Sequence, residues 1–406
     1  MRMTRALPAT AAVCSAVLIS ILTGCSQESA AQRPAAGPAL PLPPLSQEVR
    51  DGRGAVIVDE PVDAPSAPLS EARATQRQIV YRSASGVDGT MRDVSGAVFV
   101  PAGPPPDGGW PIVAYGHGTT GIGNECGPSR YQNLLGYDLV VASLIKLGFV
   151  VALTDYEGLG MPGRHPYLEP RTAAFNMVDS VRAARNVVPT TSDKWFAVGV
   201  EQGGQAAWAA NEMAQEYGDG LELLGSASMR PAVDLSALAT LAKSKWLTKA
   251  QQSLLPTYVY GLQATNPALN PDDYLHGVLE RDRDPLLACS GPLVAEIPKL
   301  MSRLTIDDSV PASAEATEAL RAALTAYALP QRPATGPMLV ITGERDEIVR
   351  SQWVATAVEK ACGLGDVVEF INRPREGQTD LDGGPRLAQW LSERLAGDAP
   401  VDTCVR

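Results

Sequence analysis

Histidine is nearly missing from this chain of 406 residues: there are three, His117, His165 and His276, and none beyond position 276. No cluster of His, Cys, Asp or Glu has metal-ligand spacing and no glycine-rich phosphate loop occurs, so no metal or other cofactor is expected. Positive charge is also in deficit. Lys and Arg number 34 against 45 Asp and Glu, a net −11, which argues against nucleic acid as a partner. Past the N-terminus no apolar run is long enough to cross a bilayer, and no internal repeat is visible.

The N-terminus reads as a targeting segment. Arg2 and Arg5 precede the short apolar stretch Ala11 to Leu22, and Leu22-Thr23-Gly24-Cys25 has the residue order of a lipobox. The expectation is a cleaved signal at 1–24 and a lipid anchor on Cys25, giving an extracytoplasmic protein held at the cell membrane. Of six cysteines, Cys14 leaves with the signal. Cys126, Cys289, Cys362 and Cys404 then remain for two disulfides in an oxidising compartment, with three pairings open. Residues 25–70 are rich in Pro and Ala and read as a tether. Residues 71–406 suit one large domain with an insertion.

Within that domain, strand-like and helix-like segments alternate. Gly96–Val100, Pro111–Tyr115, Phe149–Thr154, Trp195–Val200, Met338–Thr342 and Val367–Ile371 are short apolar runs. Ala174–Val188, Gln205–Tyr217 and Arg386–Leu395 have helical spacing. Continuous apolar strands separated by helices predict an α/β fold, a mostly parallel central sheet with helices on both faces. The Leu- and Ala-rich stretch at about 231–333 breaks the rhythm. It is expected to be a helical lid over the carboxyl edge of the sheet, where open α/β sheets bind ligands.

The segment Trp195-Phe196-Ala197-Val198-Gly199-Val200-Glu201-Gln202-Gly203 has the frame of a nucleophile elbow, a strand running through G-x-S-x-G into a helix, but with Glu201 at the central position. Together with His117-Gly118-Thr119, Asp155-Tyr156-Glu157-Gly158-Leu159-Gly160, Gly163 to Leu168 and Gly343 to Val349, this pattern resembles the secretory lipase family, the lipase-A type of α/β hydrolase. The resemblance runs from about Val113 to Cys404. It implies the α/β-hydrolase fold, disulfides Cys126–Cys289 and Cys362–Cys404, and hydrolysis of lipophilic esters by a Ser-Asp-His triad in that chain order. Carried over by residue, Asp346 matches the acid, Glu201 stands at the serine, and Gln378, in Glu376-Gly377-Gln378-Thr379, takes the histidine's place.

Acyl transfer needs a hydroxyl and a base that later protonates the leaving group. A glutamine has no basic site near neutral pH, and a carboxylate is a poor nucleophile toward esters, so ordinary esterase activity is expected to be absent. The backbone N–H of Gln202 and one from Thr119 or Thr120 would still form an oxyanion pocket, which the Glu201 carboxylate could itself occupy. His165 and His117 are possible support for that loop cluster. Two readings follow: a silent family member that binds a lipophilic small molecule, an acyl-containing compound or a partner, and a non-hydrolytic isomerase, cyclase or lyase using Glu201 as acid or base. Residual lipase or esterase action ranks third, because function belongs to the site rather than the fold.

Overall fold

The computed structural model describes residues 39–377 and 382–404. Cys25, its expected signal peptide and Gln378 lie outside the described residues. Nine strands among the described residues form one sheet in the order β1-β2-β3-β5-β4-β6-β7-β8-β9. Their ranges are β1 Val56–Pro61, β2 Thr75–Ala84, β3 Met91–Val100, β4 Trp110–Gly116, β5 Val150–Thr154, β6 Thr191–Val200, β7 Glu222–Met229, β8 Met338–Gly343 and β9 Val368–Arg373. From β5 to β9 every pairing is parallel. At the other side β1, β2 and β3 pair antiparallel, and β3 meets β5 antiparallel.

The helices are α1 Gln47–Gly52, α2 Ala67–Glu71, α3 Asp138–Lys146, α4 Pro170–Val187, α5 Gln202–Tyr217, α6 Ala237–Lys243, α7 Lys249–Leu262, α8 Gly277–Arg281, α9 Asp284–Leu287, α10 Ile297–Arg303, α11 Ala314–Ala326, α12 Ser351–Leu364 and α13 Gly384–Ala396. Alternate strand residues face opposite sides of the sheet, so each face has its own core. Ile112 and Ala114 of β4 join Val178 and Val181 of α4 and Ala206 and Ala210 of α5. Val113 and Tyr115 join Leu144 of α3 and Leu387, Trp390 and Leu391 of α13 on the other side. The expected covering of a parallel sheet by helices on both faces is therefore present, and α6 to α11 fill the interval between β7 and β8.

The stretch expected to be a tether through residue 70 is folded in its second half. Residues 47–71 supply α1, the edge strand β1 and α2, with Val49 and Leu69 buried. An edge strand gains its stability from main-chain bonds to its neighbour, here β2, and not from an apolar stripe of its own, so composition does not report it. Leu40 is also tied down. Its N–H donates to Gln331 Oε1 at 2.9 Å and its carbonyl accepts from Arg332 at 2.7 Å.

A candidate functional site at the β6–α5 turn

Glu201 sits between β6 and α5 with φ +55° and ψ −112°, a left-handed conformation that costs a non-glycine residue of order 1–3 kcal/mol. Main-chain bonds hold it there: its N–H donates to the Met229 carbonyl at 2.8 Å, and its own carbonyl accepts from Gln205 (3.0 Å) and Ala232 (3.1 Å). The flanking glycines permit the close approach. A Cβ on Gly203 would lie 1.9 Å from the Gly116 carbonyl oxygen, and one on Gly199 would lie 2.0 Å from that of Gly203. The turn thus brings the end of β4, the end of β6 and the start of α5 together, and aims one side chain above the sheet's carboxyl edge.

That side chain is 5 % exposed. Its Oε2 accepts from the Thr119 N–H at 2.7 Å and from the Thr119 hydroxyl at 2.6 Å. Because the single Thr119 hydroxyl proton is used on Glu201, the Tyr167 hydroxyl at 2.6 Å must donate to Thr119 Oγ1. The Thr119 amide expected to face an oxyanion is therefore engaged with the glutamate itself. The Thr120 hydroxyl donates to the Cys126 carbonyl at 2.8 Å. Position at the start of α5 also suits an anion, since the helix N-terminus carries partial positive charge. Glu201 Oε1 is buried and has no hydrogen-bond partner among the described residues.

The two loop histidines are neutral and occupied. His165 Nδ1 faces the Glu157 carbonyl at 2.8 Å, an acceptor, so this nitrogen carries the proton. Its Nε2 then accepts from the Gln202 side-chain amide at 2.8 Å, and burial pushes the imidazole down to about 4. His117, fully buried, is lowered by the same desolvation and donates from Nδ1 to the Gly118 carbonyl at 2.7 Å. Both histidines brace loops beside Glu201.

Asp346 follows β8, and its Oδ1 accepts from the N–H groups of Ile348 (2.8 Å) and Val349 (2.9 Å). Burial raises its pKa, the two amides and Arg230 oppose that shift, and the charge of Glu201 adds to it. Glu201, Asp346 and Arg230 thus lie within electrostatic reach of one another. Arg230, just after β7, and Tyr258, on α7, are site residues the sequence did not single out for roles. Neither stands in a motif, and both reach the elbow only through the packing of β7 and of the insertion. The one set among the described residues with cation-ligating geometry, Glu125 with Cys126 and Cys289, has both sulfurs committed to a disulfide.

The Secretory lipase family pattern matches residues 133–403, well over half of the chain. The chain belongs to the secretory lipase family. Its fold is that of solved lipases and esterases. Candida antarctica lipase A in its closed state is 18 % identical over 90 % of this chain and 89 % of its own, with a TM-score of 0.70. A rice cell wall degrading esterase, LipA of Xanthomonas oryzae, is 22 % identical over 85 % of this chain and 96 % of its own, with a TM-score of 0.65. A putative hydrolase of Legionella pneumophila is 20 % identical over 84 % and 96 %, with a TM-score of 0.64. No curated protein matches the chain. Two disulfides join Cys126 to Cys289 and Cys362 to Cys404, each with Cα atoms 5.5 Å apart, the pairing the family resemblance implies. Secretory family membership and paired cysteines both fit an exported protein.

Proposed function

We propose that this secretory-lipase family member has lost ordinary ester hydrolysis and binds a lipophilic molecule at the elbow, held outside the cytoplasmic membrane by lipid on Cys25. The observation that carries this reading is the pair of bonds from Thr119 to Glu201 Oε2. In an acting hydrolase of this fold a serine attacks from this position and the facing amide stabilises the oxyanion. Here a carboxylate stands at the one and takes up the other. His165, held neutral with its Nε2 bound by Gln202, is no ready substitute for the missing base, and Gln378 cannot act as one. Asp346 is retained but has no imidazole to orient. The Candida and Xanthomonas proteins are named for lipase and esterase action; in this chain the residues that such action requires are replaced.

A second reading, proton transfer by Glu201 on a lipophilic substrate, is favoured by the buried Oε1, which has no partner among the described residues. Such a carboxylate oxygen would take or give a proton in an isomerisation, cyclisation or elimination.

The test of lost hydrolysis is labelling with a serine-directed fluorophosphonate and turnover of p-nitrophenyl butyrate. The expected result is neither label nor turnover in the native protein, with measurable esterase activity in Glu201→Ser combined with Gln378→His. A labelled serine at the elbow, or turnover that survives rigorous purification, overturns the reading.

A further inference from the structure

We propose that the loop between α6 and α7 docks on an anionic phospholipid bilayer, with Trp246 in the headgroup layer and Lys243, Lys245 and Lys249 on lipid phosphates; this deepens the membrane attachment proposed above. Three observations carry it. Trp246 is 74 % exposed, whereas Trp195, Trp208 and Trp390 are fully buried. Those three lysines are nearly half of the seven in the chain. Between Asp234 and Asp272 there is no acidic residue, in a chain whose net charge is −11.

The fold holds this tryptophan on display. Lys245 follows α6 in the left-handed region at φ +62°, with its N–H on the Ala242 carbonyl (3.1 Å) and that of Trp246 on the Leu241 carbonyl (2.8 Å). Leu247 then turns inward and is buried, and Thr248 caps α7 while its hydroxyl donates to the Glu347 carbonyl at 2.9 Å. A second loop is laced alongside. Lys245 Nζ lies 2.6 Å from Asp307 Oδ1, next to Ile306, itself 47 % exposed. Lys249 Nζ donates to the carbonyls of Met301 (3.1 Å) and Ser302 (3.3 Å). Trp246 and Ile306 thus stand out from two loops that lysines join.

Two acids face these lysines: Asp307 on Lys245, and Glu315 within electrostatic reach of Lys243. Lys249 bonds only to carbonyl oxygens, so the loop keeps a positive excess. Lys299 and Arg303 nearby are paired with Glu296 and Asp282. An anionic bilayer repels a chain of net −11 over most of its surface and attracts it where acids are missing, so attraction selects this face. An indole suits the headgroup layer because its ring is apolar and its N–H polar. Lysine stems can lie along apolar surface while their ammonium groups reach phosphates. The anchor proposed on Cys25 would keep the body near such a surface. Ala39, the first described residue, follows Cys25 by fourteen residues, a reach of at most about 50 Å.

The experiment mixes the full chain, processed by an exporting host, with vesicles of phosphatidylglycerol and phosphatidylcholine or of phosphatidylcholine alone, each with plain or brominated acyl chains. Flotation reads attachment, and the difference in fluorescence between the native protein and Trp246→Phe isolates Trp246. In the anionic vesicles bromine is expected to quench Trp246 about twofold or more, with little quenching on phosphatidylcholine alone. Sodium chloride at about 0.5 M, or Lys243→Gln, Lys245→Gln and Lys249→Gln together, should remove at least about half of that quenching, the variant keeping the native melting temperature. Equal Trp246 emission in plain and brominated anionic lipid overturns the docking, and so does quenching that neither lipid charge nor the lysines affect. Flotation with both lipids but without quenching overturns the docking and leaves the Cys25 anchor standing. Quenching, with flotation on anionic lipid only, upholds the docking and refutes the anchor. An unquenched Trp246 in a chain of doubled mass, which Trp246→Ala returns to monomer, assigns the face to a second copy and overturns the bilayer.

Discussion

Neutralising Glu212 should remove a large part of the protein's pH-dependent stability. This residue lies on α5, 2 % exposed, and its carboxylate accepts from the main-chain N–H groups of Gln331 (3.1 Å) and Arg332 (3.2 Å), where the insertion returns to the sheet. Burial, against the pull of those amides, pushes its pKa from 4.5 up to about 8. The folded protein therefore retains this proton up to about pH 8, whereas an unfolded glutamic acid releases it near 4.5. Between those values the folded state binds more protons, so stability is fully present below about 4.5 and is lost as pH rises through 8. At about 1.4 kcal/mol per unit, the shift amounts to about 4–5 kcal/mol. Glu212→Gln keeps an oxygen for the same two N–H groups and has no proton to lose. It should match the native protein at pH 5 and exceed it by about 4–5 kcal/mol at pH 8.5. Urea unfolding with the disulfides intact, at pH 5, 7 and 8.5, measures both curves. Asp366 and Asp179, each raised to about 6 by burial, slope in the same direction and persist in the variant. Parallel curves for native and variant protein would refute the reasoning.

Other outcomes follow from single contacts. Glu201→Gln retains an oxygen facing Thr119 and should change unfolding free energy by about 1 kcal/mol or less, read from denaturant midpoints. Gly203→Ala forces a methyl against the Gly116 carbonyl and should destabilise by about 3 kcal/mol, seen as a lowered melting temperature. Peptide mapping under non-reducing conditions should recover Cys126 with Cys289 and Cys362 with Cys404. From sequence separations of 163 and 42, replacing each pair by alanine should lose about 5 and about 4 kcal/mol respectively, by loop-closure entropy.

The buried parallel strands were legible because a strand covered on both faces reads as a continuous apolar run, as β5 does from Val150 to Leu153, with every position of Val150–Thr154 buried. β7 was not: its buried centre, Gly225 to Ser228, is small and polar, with Ser226 hydrogen-bonded to Asn211 and Ser228 to the Gly204 carbonyl. Small hydroxyl-bearing residues are also what loops contain, so only neighbouring strands identify them as sheet. β1 was missed for the complementary reason, an edge strand with little to bury. At the site, the turn that displays Glu201 was legible because its glycine spacing is a local pattern, whereas Asp346 was reached only through the family resemblance.

By itself the sequence determined the elbow's glycine frame and the glutamate at its centre. Gly199 and Gly203 are the residues a turn so close to β4 tolerates, and Glu201 is the side chain that turn must display. It also carried the parallel core, through apolar runs whose burial demands cover on both sides. Only the tertiary structure decided where the carboxylate points and what it meets. Thr119 on the β4 loop, Tyr167 beyond β5, Arg230 after β7 and Tyr258 on the insertion come from four separate stretches of chain. Hydrogen bonds such as that of Thr119 to Glu201 span 82 residues and leave no periodicity to read, because they depend on how the sheet sets its carboxyl-edge loops side by side.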